Sequence, residues 1–460
     1  MIRIEDKRRC CGCEACRQVC PKECIRLERD EEGFGYPIVD ADRCIECHKC
    51  ERVCPFMQLG APREPLAVYA ACATDEGLRK ASSSGGLFTL FAEETLRRGG
   101  VVFGARFDET WGVCHDYTET VEGLAPFRGS KYLQSRIGNN YQRAELFLKE
   151  GRPVLFTGTP CQIKGLVHYL GRTYDNLTTV DVVCHGVPSP MVWQRYLTTL
   201  RAGRGEITGI SFRDKSVSGW RRYDFVVQST EGEGVRQFYG DNIYMRGFLH
   251  DLYLRPSCYA CMAKGGRSQS DLTLGDYWGV ERTCPDLDRA LDENKGTSVV
   301  LIHSAQGQRL WSELTCRSQE TNYASAVAGN PLSSGLTCRS QKTNYASAVS
   351  GNPLSSGLTC RSQKTSYASA LAGNPLSAEL TCRSQETNYA SAVAGNPSIE
   401  QSVAEPPKRQ LFFEQINAEP LDSLIARLTS TPLHKRLWHH LHHQAHRIKL
   451  RLRRLAQRPH

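Results

Sequence analysis

The sequence predicts a small α+β domain at residues 1–60, an α/β domain with an antiparallel portion at 61–314, a tandem-repeat insertion at 315–397 and a C-terminal segment at 398–460 that ends in a basic helix. Three observations predict it. A four-cysteine run is written twice, as Cys10-x2-Cys13-x2-Cys16-x3-Cys20-Pro21 and Cys44-x2-Cys47-x2-Cys50-x3-Cys54-Pro55. Strand and helix patterns then alternate from Ala67 onward. From Leu314 a polar segment recurs with a period of 22 residues.

Each cysteine run matches the bacterial ferredoxin pattern, in which three thiolates bind one [4Fe–4S] cluster and the fourth, beside proline, crosses to the other. Cys10, Cys13, Cys16 and Cys54 are thus expected on one cluster, and Cys44, Cys47, Cys50 and Cys20 on the second. Cys11 and Cys24 are left over. Zinc or disulfides also suit paired Cys-x2-Cys, but two complete runs each closed by Cys-Pro favour the clusters. Between the runs, Gly33-Phe-Gly-Tyr-Pro37 with Ile38-Val39 reads as a turn feeding a strand, which makes a ferredoxin-like domain. Gly60-Ala-Pro-Arg-Glu-Pro65 reads as the linker out of it.

In the second region, 67–72, 101–104, 153–156 and 178–183 read as strands, with helices at 85–98, 141–150 and from about Cys161 to Leu170. This pattern predicts a largely parallel sheet, whose ligands sit at the carboxyl ends of the strands. Those ends carry Thr157-Gly-Thr-Pro-Cys161 and Cys184-His-Gly-Val-Pro188. Beyond Ile207, the segments 210–212, 223–228 and 236–238 alternate like antiparallel strands. Cys258-x2-Cys261 follows, and then Gly275-Asp-x-Trp-Gly279.

Ser83-Ser-Gly-Gly86, Gly129-Ser-Lys-Tyr132, Gly158-Thr-Pro-Cys161-Gln162, Cys184-His-Gly186, Gly219-Trp220 and the two motifs just named, with the cysteine runs, resemble the coenzyme F₄₂₀ hydrogenase/dehydrogenase β-subunit family over about residues 1–314 and a short stretch near 398–416. The resemblance implies an iron–sulfur flavoprotein oxidoreductase that moves electrons between a hydride carrier and iron–sulfur partners through FAD. It further implies that Cys161, Cys184, Cys258 and Cys261 bind a third [4Fe–4S] cluster; the alternative for Cys161 and Cys184 is that they are buried core cysteines.

For the flavin, Ser83, Ser84, Gly85 and Gly86 precede a helix whose N-terminus can take a diphosphate, and Lys131, Thr157, Gly158 and Thr159 complete the candidate set. An N-cap explains the Ser/Gly stretch as well, and no Gly-x-Gly-x-x-Gly follows a strand. No residue is assigned as a catalytic acid, base or nucleophile. His185 reads as a turn histidine or a support of Cys184, and Asp271 and Asp276 as turn caps that support the Cys258/Cys261 loop.

The repeat Leu314-Thr-Cys-Arg-Ser-Gln-Glu-Thr-Asn-Tyr-Ala-Ser-Ala-Val-Ala-Gly-Asn-Pro331 recurs at Cys338, Cys360 and Cys382. The copies are too alike and too polar for a solenoid, and read as one segment duplicated in tandem, with free thiols. Each unit offers a short strand and a brief helix. The tail places Leu433, Leu437, Leu441, Ile448, Leu452 and Leu455 at helical spacing beside basic residues and His439, His440, His442 and His443. It suits a membrane surface or an acidic partner. Eight Lys/Arg and no acid lie in 431–460, so most of the formal charge of +9 belongs to the tail, and nothing elsewhere points to nucleic acid. No apolar run approaches the roughly 20 residues of a membrane span, no signal peptide is recognisable, and the cysteine content fits a reducing cytoplasm. Two functions follow: an FAD-dependent oxidoreductase working between a soluble hydride carrier and a ferredoxin or other redox protein, or a non-catalytic electron-transfer subunit docked on a larger complex.

Overall fold

The computed structural model describes residues 1–58, 60–283, 294–314, 382–387 and 389–430. The first three repeats, Cys284 and the basic tail lie outside them.

In the cysteine-rich unit the duplicated sequence folds as a duplicated backbone. Gly12 and Glu46 hold equivalent places before Cys13 and Cys47, and Glu14 and His48 equivalent places after them; all four take positive φ. Each such residue reverses the chain so that successive sulfurs face the same side, a conformation that costs a non-glycine residue about 1 kcal/mol. Short helices follow at Ala15–Gln18 and Lys49–Arg52. Strands β1 (Ile25–Arg29) and β2 (Gly35–Val39) form the expected hairpin, whose turn is held by Asp30 Oδ1 accepting from the backbone N–H groups of Glu32 and Phe34.

The large sheet is built from β3 (Ala67–Ala73), β4 (Val101–Phe107), β5 (Val113–Thr118), β6 (Ser135–Arg136), β7 (Val154–Gly158) and β8 (Leu177–Val182). A separate antiparallel sheet holds β9 (Ile207–Asp214), β10 (Asp224–Ser229) and β11 (Gly232–Phe238); β12 (Leu272–Asp276), β13 (Ser298–Ile302) and β14 (Cys382–Thr387) return to the large one. Its order is β14-β3-β13-β12-β8-β7-β4-β5-β6. The centre, β12-β8-β7-β4, is parallel, as is the short β5-β6 pair at one edge. The sheet is therefore mixed rather than largely parallel: β4 and β5 are joined by a five-residue hairpin, which permits only antiparallel pairing, and β13, β3 and β14 add antiparallel neighbours on the other side.

Alternate side chains of the central strands point to opposite faces. Val102, Leu155 and Val180 pack with the helix Leu87–Arg97 and the helix at 305–314, while Val101, Phe103, Val154 and Phe156 pack with the helices Asn140–Lys149 and Pro160–Leu170. With helices on both faces, these strands read as continuous apolar runs. The small sheet packs against the helices Pro190–Arg201, Ile243–Leu249 and Leu421–Thr429 in a third core.

The fourth repeat copy supplies β14 and the helix Tyr389–Gly395. Its Cys382 is buried against the face that holds Leu87 and Trp311. Among the described residues, no helix is long and apolar enough to cross a membrane.

Candidate functional site

The carboxyl ends of β4, β7, β8 and β12 share one edge of the sheet, and β3 runs the same way because two antiparallel steps through β13 relate it to β12. Thr157, Gly158, Cys184, Asp276 and the Ser82–Gly86 loop all gather along this edge.

Three cavities lined by cysteine lie in the cysteine-rich unit and beside this edge. One, of about 360 Å³, is lined by Cys10, Cys13, Cys16 and Cys54 together with Cys11. A second, of about 350 Å³, is lined by Cys20, Cys44, Cys47 and Cys50 together with Cys24. Each cavity thus takes its fourth thiol from the opposite run. The third, of about 530 Å³, is lined by Cys161, Cys184, Cys258 and Cys261. Among the described residues no three His, Cys, Asp or Glu side chains converge closely enough to hold a single metal ion; the thiols ring spaces instead, which suits a cluster larger than one ion.

Local chemistry places each thiol of this third, body cavity. Cys161 is the second residue of the helix Pro160–Leu170, whose capping box joins Thr159 and Gln162; the Thr159 hydroxyl lies 3.2 Å from Cys161 Sγ. A helix N-terminus favours thiolate. Cys184 follows β8, and Cys258 Sγ accepts from the Val187 N–H at 3.4 Å. The Cys261 N–H donates to Ser402 Oγ at 3.0 Å. Burial pushes the Cys258 thiol up to about 12 and the Cys184 thiol up as well. Four such thiols in one wall hold negative charge only opposite a positive centre, and iron is one.

The same wall contains cations. Lys164, one turn after Cys161, has no exposed surface, and its Nζ finds no hydrogen-bond partner. Arg255 is 1 % exposed and lies across the boundary with the first ferredoxin cavity. Cys11 is buried, and its neighbour Cys13, followed by burial, pushes its thiol pKa up. It lines the first cavity and the body cavity alike. The paired cysteines are legible in the sequence; Cys11, Lys164 and Arg255 carry no spacing signal, although a lysine three residues after a candidate ligand on an otherwise apolar helix face is a mark that sequence reading could use.

The flavin candidates form two neighbouring groups. The Ser130 N–H donates to Ser83 Oγ at 2.6 Å, which joins the Ser82–Gly86 loop to the segment bearing Lys131. Ser84 Oγ donates to Thr297 O, and the Gly85 N–H to Ser298 Oγ. Gly86, at φ +90°, is the N-cap of the helix Leu87–Arg97. A Cβ on Gly85 would lie 2.5 Å from Ala71 O, so only glycine fits there. Ser83, an acceptor in its internal bond, keeps its proton to donate; the Ser84 hydroxyl proton is already engaged.

In the second group, Thr157 Oγ1 donates to Phe103 O, and Gly158 and Thr159 continue into the Cys161 helix. His115, 4 % exposed, bonds Ser135 Oγ through Nδ1 and Thr157 O through Nε2. Burial lowers its pKa to about 4. Lys131 donates to Arg128 O and Gly129 O; burial and then Arg106 push it down to about 7.

Arg213, on β9, and Lys215, just after its end, both reach toward this region. Lys215 donates to Arg79 O, Ser84 O and Lys295 O, fixing the loop. Arg213 pairs with Asp276 and lies over the Tyr223 and Trp278 rings, yet its Nε and Nη2 have no partner. Asp276 also accepts from Trp220 Nε1 at 2.9 Å, and Trp220 stacks on Trp278 with ring centroids 4.4 Å apart.

Asp276 is thus the counter-ion of a buried arginine, not a turn cap. Asp271 lies at the start of β12, where it accepts from Thr179 and Ser304, at the far end of the strand from the Cys258/Cys261 loop. Neither supports that loop. His185 pairs with Asp251 through Nε2 at 2.6 Å.

Three cysteine-lined cavities beside a basic, partly unsatisfied cleft define an iron–sulfur redox subunit. Residues 151–322 match the C-terminal region of the coenzyme F₄₂₀ hydrogenase/dehydrogenase β subunit, and residues 9–57 match the 4Fe–4S dicluster domain. Over these two stretches the chain is an iron–sulfur subunit of the oxidoreductase type, related to the F₄₂₀ hydrogenase/dehydrogenase β subunit through residues 151–322 and carrying a dicluster domain at residues 9–57. No curated protein matches it. Among solved structures it is similar to a chain from the F₄₂₀-reducing [NiFe] hydrogenase complex of Methanosarcina barkeri, at 18 % identity and a TM-score of 0.39, covering 56 % of this chain and 81 % of that one.

Proposed function

We propose that the chain exchanges electrons between a soluble hydride carrier of the F₄₂₀ or nicotinamide type and a ferredoxin-type partner, using FAD and three [4Fe–4S] clusters. The observation that carries this reading is the body cavity: four half-buried cysteines line it beside the first ferredoxin cavity, and an unpartnered buried lysine lines the same space. In this assignment Cys10, Cys13, Cys16 and Cys54 hold one cluster, Cys20, Cys44, Cys47 and Cys50 the second, and Cys161, Cys184, Cys258 and Cys261 the third. The ferredoxin-type domain ends near residue 60 and the flavin and iron–sulfur domain near 314.

The flavin assignment rests on the orphaned donors of Arg213. A buried guanidinium nitrogen without a partner is costly, and an anionic or carbonyl-rich ligand removes that cost. Ser83 and the first N–H groups of the helix Leu87–Arg97 are suited to a diphosphate. Lys131 adds positive charge on the other side. A bound flavin supplies the conversion between a hydride's electron pair and the single electrons that clusters accept. The residues named here would bind it, orient it and set its charge environment.

The test is anaerobic purification followed by cofactor extraction and reduction. The reading expects about twelve irons per chain, a flavin spectrum, and bleaching by reduced F₄₂₀ or NAD(P)H. Iron without flavin, and no bleaching by either carrier, would replace it with a non-catalytic electron-transfer subunit.

A further inference from the structure

Arg255 is fully buried, and among the described residues it makes no ion pair with a carboxylate. Its backbone belongs to the body site, since the Cys258 N–H donates to Arg255 O at 2.8 Å. Its guanidinium crosses into the ferredoxin unit. Nε donates to Cys10 O at 2.7 Å, and Nη2 to Gly35 O at 2.9 Å; Nη2 also lies 3.5 Å from Cys10 Sγ. Nη1 reaches Gln134 Oε1 at 3.0 Å, while Gln134 Nε2 donates to Cys11 O. The rings of Tyr36 and Phe34 cover its remaining side, at 4.5 and 5.3 Å. The approach is so close that a Cβ on Gly12 would lie 2.8 Å from Nη1.

An arginine buried without an anion is strongly unfavourable. The anions available are the two groups of cysteine sulfurs on either side, one at Cys10 and the other at Cys258. Both cations line the body cavity, but only Arg255 reaches across to Cys10 through hydrogen bonds, whereas Lys164 Nζ makes none.

We propose that Arg255 is a positioning residue that serves as shared counter-charge to the first ferredoxin cluster and the body cluster, raising the reduction potential of both and locking their two walls in register, whereas Lys164 acts on the body cluster only. This rests on the three-cluster reading above. Positive charge and a hydrogen bond to a ligand sulfur favour the more negative, reduced state of a cluster, so removing them lowers its potential.

The experiment is potentiometric titration of the full chain followed by electron paramagnetic resonance, with the body signal identified by its absence from Cys184→Ser. In iron-replete Arg255→Met, the reduced-to-oxidised ratio at a fixed poise is expected to fall at least tenfold for both clusters, which is about 59 mV for a one-electron couple. Lys164→Met is expected to lower the body ratio alone. Unchanged ratios in Arg255→Met, or a shift confined to the body cluster, overturn the proposal. Should Arg255→Met lose iron, Arg255→Lys decides: one ammonium cannot reach both walls, so at least one ratio must fall, and two wild-type ratios overturn the proposal. Iron near eight in the unmutated chain would remove the body cluster itself, a failure of the underlying reading and not of the role of Arg255.

Discussion

Asp276→Asn tests how the basic cleft is held. The Arg213 and Asp276 side chains are 4 % and 16 % exposed, so the pair is largely removed from water. Breaking such a pair by neutralising one partner costs about 3–5 kcal/mol, because the remaining charge stays buried. Asparagine keeps the shape and can still accept from Trp220, so the loss reports charge more than packing. With about 2–4 °C per kcal/mol for domains of this scale, the lower energy corresponds to about 6–12 °C in the melting temperature of the anaerobic protein. Loss of visible absorption and loss of ellipticity would both be followed, since cluster release and unfolding need not coincide. The double variant Arg213→Met/Asp276→Asn completes the test. Removing both charges leaves no uncompensated ion, so the double variant should melt above Asp276→Asn alone. If the two losses instead add, the pair is not coupled and the electrostatic account of the cleft is wrong.

Three further outcomes are expected. Cys184→Ser should lower iron from about twelve to about eight per chain while the ferredoxin clusters persist, and iron unchanged in that variant would take Cys184 out of the ligand set. His115 has its folded pKa lowered to about 4 by burial, so between there and its unfolded value near 6.5 the unfolded state binds more protons; stability falls as pH drops through this window, by about 3 kcal/mol when complete. Melting from pH 7.5 to 4.5 should therefore show a shallower acid slope in His115→Gln, and equal slopes would assign the acid loss elsewhere. Deleting 332–397 should leave iron and flavin unchanged, because residues 314–331 repeat 380–397 letter for letter and can supply the same edge strand to β3; deleting 316–397 removes every copy and should expose the Tyr69 and Ala71 edge, read as lowered melting temperature or aggregation.

What the sequence makes legible depends on the range of the interaction. The cysteine runs and the strands at 101–104 and 153–156 are local patterns: close spacing forces the thiols into one loop, and burial on both faces makes a strand uniformly apolar. The strand β5 fails that test. Its Val113-Cys-His-Asp-Tyr-Thr mixes polarities, and the turn before it puts Trp111 rather than glycine at φ +63°. The helix Pro190–Arg201 does carry its signals, a Ser189 N-cap followed by proline. Asp276 is misread from sequence because its partner, Arg213, lies 63 residues away in a different sheet, a distance over which no spacing rule operates.

The repeats show the same division from the other side. Near-identity of four copies suggests four equivalent structural units, yet the described sheet has one position for such a strand, beside β3. The pairing explains the tolerance: Cys382–Thr387 contributes backbone hydrogen bonds to an edge, and an edge strand asks for alternation and length more than for particular contacts. One copy completes the edge and packs Cys382 and Ala392 into the core, while the cysteine-lined cavities lie at the carboxyl ends of β7, β8 and β12 or in the cysteine-rich unit. Repetition in sequence is therefore the weakest guide to function in this chain. Its chemistry gathers where unrelated segments meet: Cys10 and Cys11 from the first loop, Cys161 and Lys164 from a helix start, and Arg255 and Cys258 from a loop between the two sheets.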